Sequence, residues 1–196
     1  MAEITIDAIK KLKELSGVGL TDAKKALVEA NGDFDKALKA MREKGLTKAE
    51  KRGDRETREG IIASYVHDNR LGAIVEVNCE TSFVANTDEF KELTHKLAMQ
   101  IASMNPLYVS EADIPEAAYN EKAAEFEANF KGPENMKEQI IEGQIKKAFA
   151  DKVLTLQPYI LDDSKTVAEF IKEMIAKTGE NITVRQFKRI ELGVNE

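Results

Sequence analysis

The spacing of the apolar side chains changes near residue 60, and this change predicts a fold that combines helices with a sheet. In the N-terminal segment, apolar residues recur every three or four positions, as in Ile6, Ile9 and Leu12. This period is typical of helices that bury one face. Between residues 60 and 80 the period falls to two, which is typical of strands. We therefore expect two parts with different secondary structure.

The N-terminal part is predicted to contain three short helices separated by glycine-containing breaks. We expect Thr21 to cap the second helix, Asn31-Gly32 to end it, Asp33 to cap the third helix and Gly45 to end that one. Helices of about ten residues are not stable alone, because forming the first turn is costly. This segment is therefore expected to fold as a compact three-helix bundle.

The rest of the chain is predicted to pair a small antiparallel sheet with helices. A turn at Asp68-Asn69-Arg70 divides the alternating segment into a hairpin, and residues 181–192 supply a third strand. Thr81 to Asn86 is expected to be a connection, and a long helix after it ends at Asn105-Pro106. Two helices at about 115–153 are predicted to form a helical hairpin. A last helix is predicted before the third strand, with Asp163 or Ser164 as its cap.

The predicted class is α+β, with three segments along the chain. These are a helical domain at 1–45, a charged linker or helix at 46–59, and a core domain at 60–196.

Composition excludes several classes of function. The 196 residues carry a formal net charge of −6, which argues against direct binding to nucleic acid. The longest apolar run is far shorter than the roughly 20 residues of a membrane span, and no secretion signal is visible. The single cysteine fits a reducing compartment. We therefore expect a cytoplasmic protein without membrane contact.

Residues suited to catalysis are scarce. The two histidines, His67 and His95, are separated from any partner that would make a catalytic or metal-binding set. Cys79 is interpreted as a small buried hydrophobe, with a thiol at a subunit contact as the alternative. We expect no catalytic site, no bound metal and no cofactor.

Two apolar side chains in predicted loops, Leu20 and Phe83, remain unexplained. By pattern alone, an aromatic residue at a strand-to-helix junction is more often part of the core. If it is exposed, it is an anchor for a protein partner. The pattern therefore favours a protein-binding function without identifying the partner.

Several motifs resemble the bacterial translation elongation factor Ts family, whose members exchange the nucleotide of the GTPase elongation factor Tu. The strongest is Glu76-Val-Asn-Cys-Glu-Thr-Ser-Phe-Val-Ala85, where the family has Asp in place of Ser82. Others are Leu15 to Leu27, Gln157-Pro-Tyr159 and Gly179 to Arg185. The resemblance covers essentially the whole chain.

The resemblance implies a ubiquitin-associated-like N-terminal bundle and a short form of the factor with one core subdomain. Short forms are expected to work as homodimers. It also implies that the protein binds elongation factor Tu with GDP or without nucleotide, displaces Mg²⁺ and releases GDP. Contact with the Mg²⁺ region is implied for one segment, and contact with other parts of the GTPase for two further sites. The residues concerned are Thr81, Ser82, Phe83 and Val84 in the first group, and Leu20, Thr21, Thr178, Gly179, Glu180 and Asn181 in the second.

Two departures from the family pattern affect this prediction. Ser82 lacks the charge of the family's Asp, and Thr21 stands where the family has a Met. We hypothesise that Phe83 still acts as the wedge while any electrostatic share is reduced. Alternatives are a helical module for another protein partner, a ribosome- or RNA-associated factor that uses the basic residues between Arg42 and Arg58, and an enzyme.

Overall fold

The computed structural model describes residues 4–16, 19–50 and 52–194. It contains eight α-helices in this part of the chain. They are α1 Ile6–Ser16, α2 Leu20–Glu29, α3 Phe34–Glu50, α4 Ser82–Ala85, α5 Asp88–Met104, α6 Glu116–Ala128, α7 Lys137–Phe149 and α8 Val167–Thr178. The strands are β1 Glu59–His67, β2 Leu71–Cys79, β3 Pro158–Tyr159, β4 Asp162–Thr166 and β5 Ile182–Glu191. The mixed α+β class is confirmed.

The first three helices form the predicted bundle around a small apolar core. Its buried members include Leu12, Leu27 and Met41. Asp33 caps α3 as expected, because its carboxylate accepts a hydrogen bond from the Lys36 amide at 3.0 Å. The predicted break at Gly17-Val18 lies outside the described residues.

Two predicted boundaries in the bundle are wrong. Helix α2 begins at Leu20 with Gly19 at the cap position, so Thr21 lies inside the helix and does not cap it. Asp22 in the first turn supplies the negative charge that a helix N-terminus favours. Helix α3 continues through Gly45 to Glu50. One glycine costs a helix about 1 kcal/mol, and the good helix formers after it, among them Leu46 and Ala49, outweigh that cost.

The predicted hairpin and third strand form one three-stranded antiparallel sheet in the order β1-β2-β5. Asp68 and Asn69 make the hairpin turn with φ of 48° and 56°, values that Asn and Asp tolerate. In β2, Ala73, Val75 and Val77 are buried, while Ile74 between them is exposed. This alternation follows from the two-residue period of a strand.

The chain forms two compact units. The first comprises residues 1–62, 77–94 and 169–184, and the second comprises residues 63–76, 95–168 and 185–196. The predicted domain boundaries at 45 and 59 stay predictions.

In the second unit, the predicted helical hairpin is confirmed as α6 and α7. The pair packs around Ile141, Ile145 and Phe149. The prediction of Asp163 or Ser164 as a helix cap is wrong, because both residues lie in β4, which pairs with β3.

The buried side chain of Gln100 on α5 fixes the hairpin formed by β3 and β4. Its amide donates to the Pro158 carbonyl at 3.1 Å and its oxygen accepts from the Ile160 amide at 2.8 Å. Because β4 extends to Thr166, helix α8 starts only at Val167. Among the described residues, no helix is both long and apolar enough to cross a membrane.

Candidate functional site

The most exposed aromatic side chain near the sheet belongs to Phe83, on the four-residue helix α4. Its side chain is 81% exposed, although Cys79 at the end of β2 and Val84 next to it are buried. The core placement that the pattern favoured for Phe83 is therefore wrong, and its alternative, an exposed ring, is what the structure contains. A phenylalanine side chain that stays exposed does not contribute the roughly 2 kcal/mol of stability that its burial would give.

Buried neighbours and hydrogen bonds hold α4 in place. Val84 is only 6% exposed, and Ala85 is also buried, so one side of the turn is anchored in the core. At the C-terminal end, the Thr87 hydroxyl donates to the Val84 carbonyl at 2.7 Å, and the side-chain amide of Asn86 donates to the Ser82 carbonyl at 2.8 Å. Ser82 and Phe83 are left on the solvent side. A helix this short would not form alone, so these contacts define its conformation.

The structure brings two of the predicted segments together at the start of α4. The Glu180 carboxylate accepts two hydrogen bonds from Thr81, one from the hydroxyl at 2.6 Å and one from the amide at 3.0 Å. In return, the Glu80 carboxylate accepts from the Asn181 amide at 2.6 Å. We call these four residues, Glu80, Thr81, Glu180 and Asn181, the carboxylate clasp. It joins residues about one hundred positions apart in sequence.

Further contacts fix the clasp to the segment before β1. The Asn181 side chain, 2% exposed, donates to the carbonyls of Gly53 at 3.2 Å and Arg55 at 2.8 Å. The Arg55 guanidinium contacts both Glu80 carboxylate oxygens at 3.4 Å. Gly179, with φ of +81°, turns the chain from α8 into the clasp, a conformation that glycine adopts without strain. The clasp is therefore anchored from three parts of the first unit.

Cys79, two residues before Thr81 of the clasp, is fully buried within the chain. Its thiol donates to the Thr81 carbonyl at 3.2 Å. Burial, and then the charge of Glu180, raise the pKa of the Cys79 thiol above its usual value, so the neutral form is favoured. The interpretation of Cys79 as a small buried hydrophobe is confirmed.

In the part of the chain that the structure describes, no three His, Cys, Asp or Glu side chains group closely enough to hold a metal ion. The two histidines lie in the second unit beside Tyr65. The Tyr65 hydroxyl and His67 Nδ1 are 2.9 Å apart, and the His95 ring meets the Tyr65 ring edge-on. The site therefore consists of the exposed Phe83 ring on a turn whose first residue, Thr81, is bound by the carboxylate clasp.

The other predicted contact residues lie outside the clasp. Leu20 and Thr21 are exposed at the start of α2, with the Leu20 side chain 51% exposed. Thr178 is half-buried at the end of α8, and its hydroxyl donates to the Met174 carbonyl at 2.9 Å. Sequence reasoning missed Gly53 and Arg55, because a run of alternating charges gives no signal for which backbone carbonyls in it accept hydrogen bonds from a distant residue such as Asn181.

Comparison with known proteins identifies the family. The family model described as Elongation factor TS matches residues 7–194. The chain is 52% identical to "Elongation factor Ts" of Thermotoga maritima over 193 residues, which cover 97% of each chain. It is 46% identical to "Elongation factor Ts" of Thermoanaerobacter pseudethanolicus, over 97% of this chain and 95% of that one.

A third relative is longer than this chain. "Elongation factor Ts" of Rippkaea orientalis is 49% identical over 198 residues, which cover 98% of this chain and 80% of the relative. The resemblance that the motifs indicated is thus confirmed along nearly the full length. The chain belongs to the elongation factor Ts family.

Proposed function

We propose that this protein is the guanine-nucleotide exchange factor of elongation factor Tu, acting in the cytoplasm, where translation takes place. On this proposal it binds elongation factor Tu with GDP, disturbs the Mg²⁺ site and releases GDP so that GTP can bind. Family membership supports the partner. The observation that carries the mechanism is the exposed ring of Phe83 on a helical turn whose other apolar residues are buried.

The proposed mechanism is insertion of a wedge. Phe83 enters the GTPase near the Mg²⁺ site and displaces elements that coordinate the metal, so GDP loses affinity. Because coupling between two binding sites is reciprocal, GDP must weaken the binding of the factor by the same ratio. A thousandfold weakening corresponds to about 4 kcal/mol. One inserted aromatic side chain with a few rearranged polar contacts can supply that amount.

The remaining predicted residues take different parts in this proposal. Leu20 and Thr21 make a separate contact through the helical bundle, and Thr178 and Gly179 extend the surface beside Phe83. Ser82 lies next to Phe83 on the solvent side, whereas Val84 supports the turn from the core. Glu180 and Asn181 use their polar atoms for hydrogen bonds within the carboxylate clasp, so on this proposal they support the Phe83 turn.

Release of a fluorescent GDP analogue from elongation factor Tu, followed by stopped flow, tests this function. The intact protein is expected to accelerate release strongly. Phe83→Ala is expected to reduce that acceleration by roughly thirtyfold, the effect of about 2 kcal/mol that the loss of an aromatic anchor produces. Met136→Ala is the matched control, because Met136 is another exposed apolar side chain, in the second unit.

The outcomes separate function from mechanism. Acceleration that survives Phe83→Ala would keep the exchange function and move the mechanism to other contacts, with Leu20 and Gly179 next. Binding without acceleration by the intact protein would refute the exchange function. Absence of binding would refute the proposed partner and favour a protein-binding module for another target.

We further propose that the protein works as a homodimer formed through the sheet. Each strand contributes an exposed apolar side chain, Val66 from β1, Ile74 from β2 and Ile190 from β5. Soluble monomers rarely expose large contiguous apolar patches, and such patches commonly mark interfaces. The implied short form of the family supports the same proposal.

A further inference from the structure

We propose that Glu180 is a positioning residue for Phe83: it orients the Thr81 hydroxyl, which in turn holds the helical turn that carries the ring. This inference rests on the proposed exchange function and assigns Glu180 a part that involves no contact with the GTPase. It begins from the two hydrogen bonds that the Glu180 carboxylate accepts from Thr81.

The Thr81 hydroxyl has one hydrogen and two lone pairs, so its direction decides what it can cap. Its hydrogen points to Glu180 Oε1 at 2.6 Å, which leaves the lone pairs for the Val84 amide at 3.4 Å. Thr81 is the N-cap of α4 through this second contact. Without the carboxylate, the hydroxyl could rotate and the cap would be lost for part of the time.

Glu180 acts on the backbone as well as on the side chain. Its Oε2 accepts a hydrogen bond from the Thr81 backbone amide at 3.0 Å. This bond fixes the extended backbone conformation that Thr81 needs to start the turn. Hydrogen bonds to a charged acceptor are stronger than neutral ones. The first and second residues after Thr81 are Ser82 and Phe83, so the direction of the ring follows from the orientation of this one residue.

The position of Glu180 is itself fixed by its neighbour. The Asn181 amide donates to Glu80, and the Asn181 side chain donates to two carbonyls of the segment before β1. The clasp is therefore reciprocal: each of its two carboxylates accepts the backbone amide of a residue in the opposite segment. Such an arrangement resists sliding of the two segments past each other, because sliding would lengthen these hydrogen bonds.

Preorganisation of this kind affects the maximal rate more than the affinity. A mobile Phe83 turn would still allow the other contacts to dock, and the ring would reach the Mg²⁺ region in fewer of the docked complexes. Glu180→Gln is therefore expected to lower the maximal rate of GDP-analogue release about tenfold. The concentration that gives half-maximal acceleration should change less than twofold. Glu127→Gln, at an exposed position of α6, is the matched control for loss of one carboxylate.

A double-variant cycle distinguishes positioning from direct contact. Thr81→Val removes the hydroxyl through which Glu180 acts while retaining the shape of the side chain. If Glu180 acts through Thr81, the double variant retains more activity than the product of the two single losses predicts, because interacting residues are not additive. Multiplicative losses, or a Glu180→Gln effect confined to the half-maximal concentration, would overturn the proposal.

Amide hydrogen exchange of the free, full-length protein tests the positioning of Thr81 independently of the nucleotide-exchange assay. The Thr81 and Val84 amides are expected to exchange at least about tenfold faster in Glu180→Gln, while amides of α6 keep their rates. Unchanged protection of both amides would overturn the positioning role even if the variant were inactive. If the intact protein fails to accelerate GDP release from elongation factor Tu, the proposed function fails. The hydrogen-exchange measurement still decides whether Glu180 holds the turn.

Discussion

At the scale of single residues, Ser82 allows the charge and the wedge to be separated. It lies beside Phe83 on the exposed side of α4, where the family pattern has an Asp. Ser82→Asp is expected to raise the GDP-release rate less than fivefold, because an exposed charge contributes under about 1 kcal/mol. Ser82→Asn is the control, because Asn has the shape of the introduced Asp without its charge. A gain by Ser82→Asp as large as the loss in Phe83→Ala would show that charge dominates.

Cys79 supports a second prediction at this scale. Its side chain is buried within one chain and its thiol pKa is raised by burial, so both access and thiolate fraction are low. Labelling by iodoacetamide at pH 8 should be at least about tenfold slower in the native protein than in urea. The raised pKa also makes the stability of the fold depend on pH. The contribution of the buried neutral thiol is fully present below the ordinary thiol pKa of 9.0, and it is lost as the pH rises through the higher pKa of the folded state. Rapid native labelling would contradict the buried placement.

At the scale of elements, two glycines form a matched pair for stability. A Cβ added to Gly60 in β1 would lie 2.2 Å from the Val77 carbonyl oxygen, whereas one added to Gly143 in α7 meets nothing within 4 Å. Gly60→Ala is expected to lower the free energy of unfolding by more than about 2 kcal/mol, since backbone cannot move aside cheaply. Gly143→Ala should raise it by about 0.5–1 kcal/mol through helix propensity. Urea unfolding measures both, and equal effects would contradict the local geometry.

The same scale explains what the sequence could and could not predict. The periodic elements, such as the hairpin and α5, were predictable because their apolar spacing reports burial directly. The end of α3 and the strand character of Asp163 were not. A favourable run of helix formers follows Gly45, and Asp163 lies in a strand that pairs with β3, a segment that contacts the distant side chain of Gln100. The exposure of Phe83 was unpredictable from spacing for a similar reason. Burial of Val84 and Ala85 decides which side of α4 faces solvent, and the spacing of apolar residues does not report which of three neighbouring side chains is buried.

At the scale of the whole molecule, the proposed homodimer connects the sheet to the exchange function. Val66 and Ile190 lie on the outer strands β1 and β5, and both are more than half exposed in the single chain. Replacing both with lysine places two charges where the proposed interface excludes water, and an unpaired buried charge opposes association strongly. Met136→Lys is the matched control, because it adds a charge at an exposed apolar site outside the sheet.

Light scattering coupled to size-exclusion chromatography should give the mass of two chains for the intact protein. The Val66→Lys/Ile190→Lys variant should give the 21.8 kDa of one chain. Because the short form is expected to need two copies, this monomer should also release GDP more slowly at the same chain concentration. Its helices, and the clasp that holds Phe83, lie within one chain and should stay intact by circular dichroism and amide exchange. A monomer that kept the full exchange rate would show that one chain carries the complete active surface, and the dimer would then contribute stability alone.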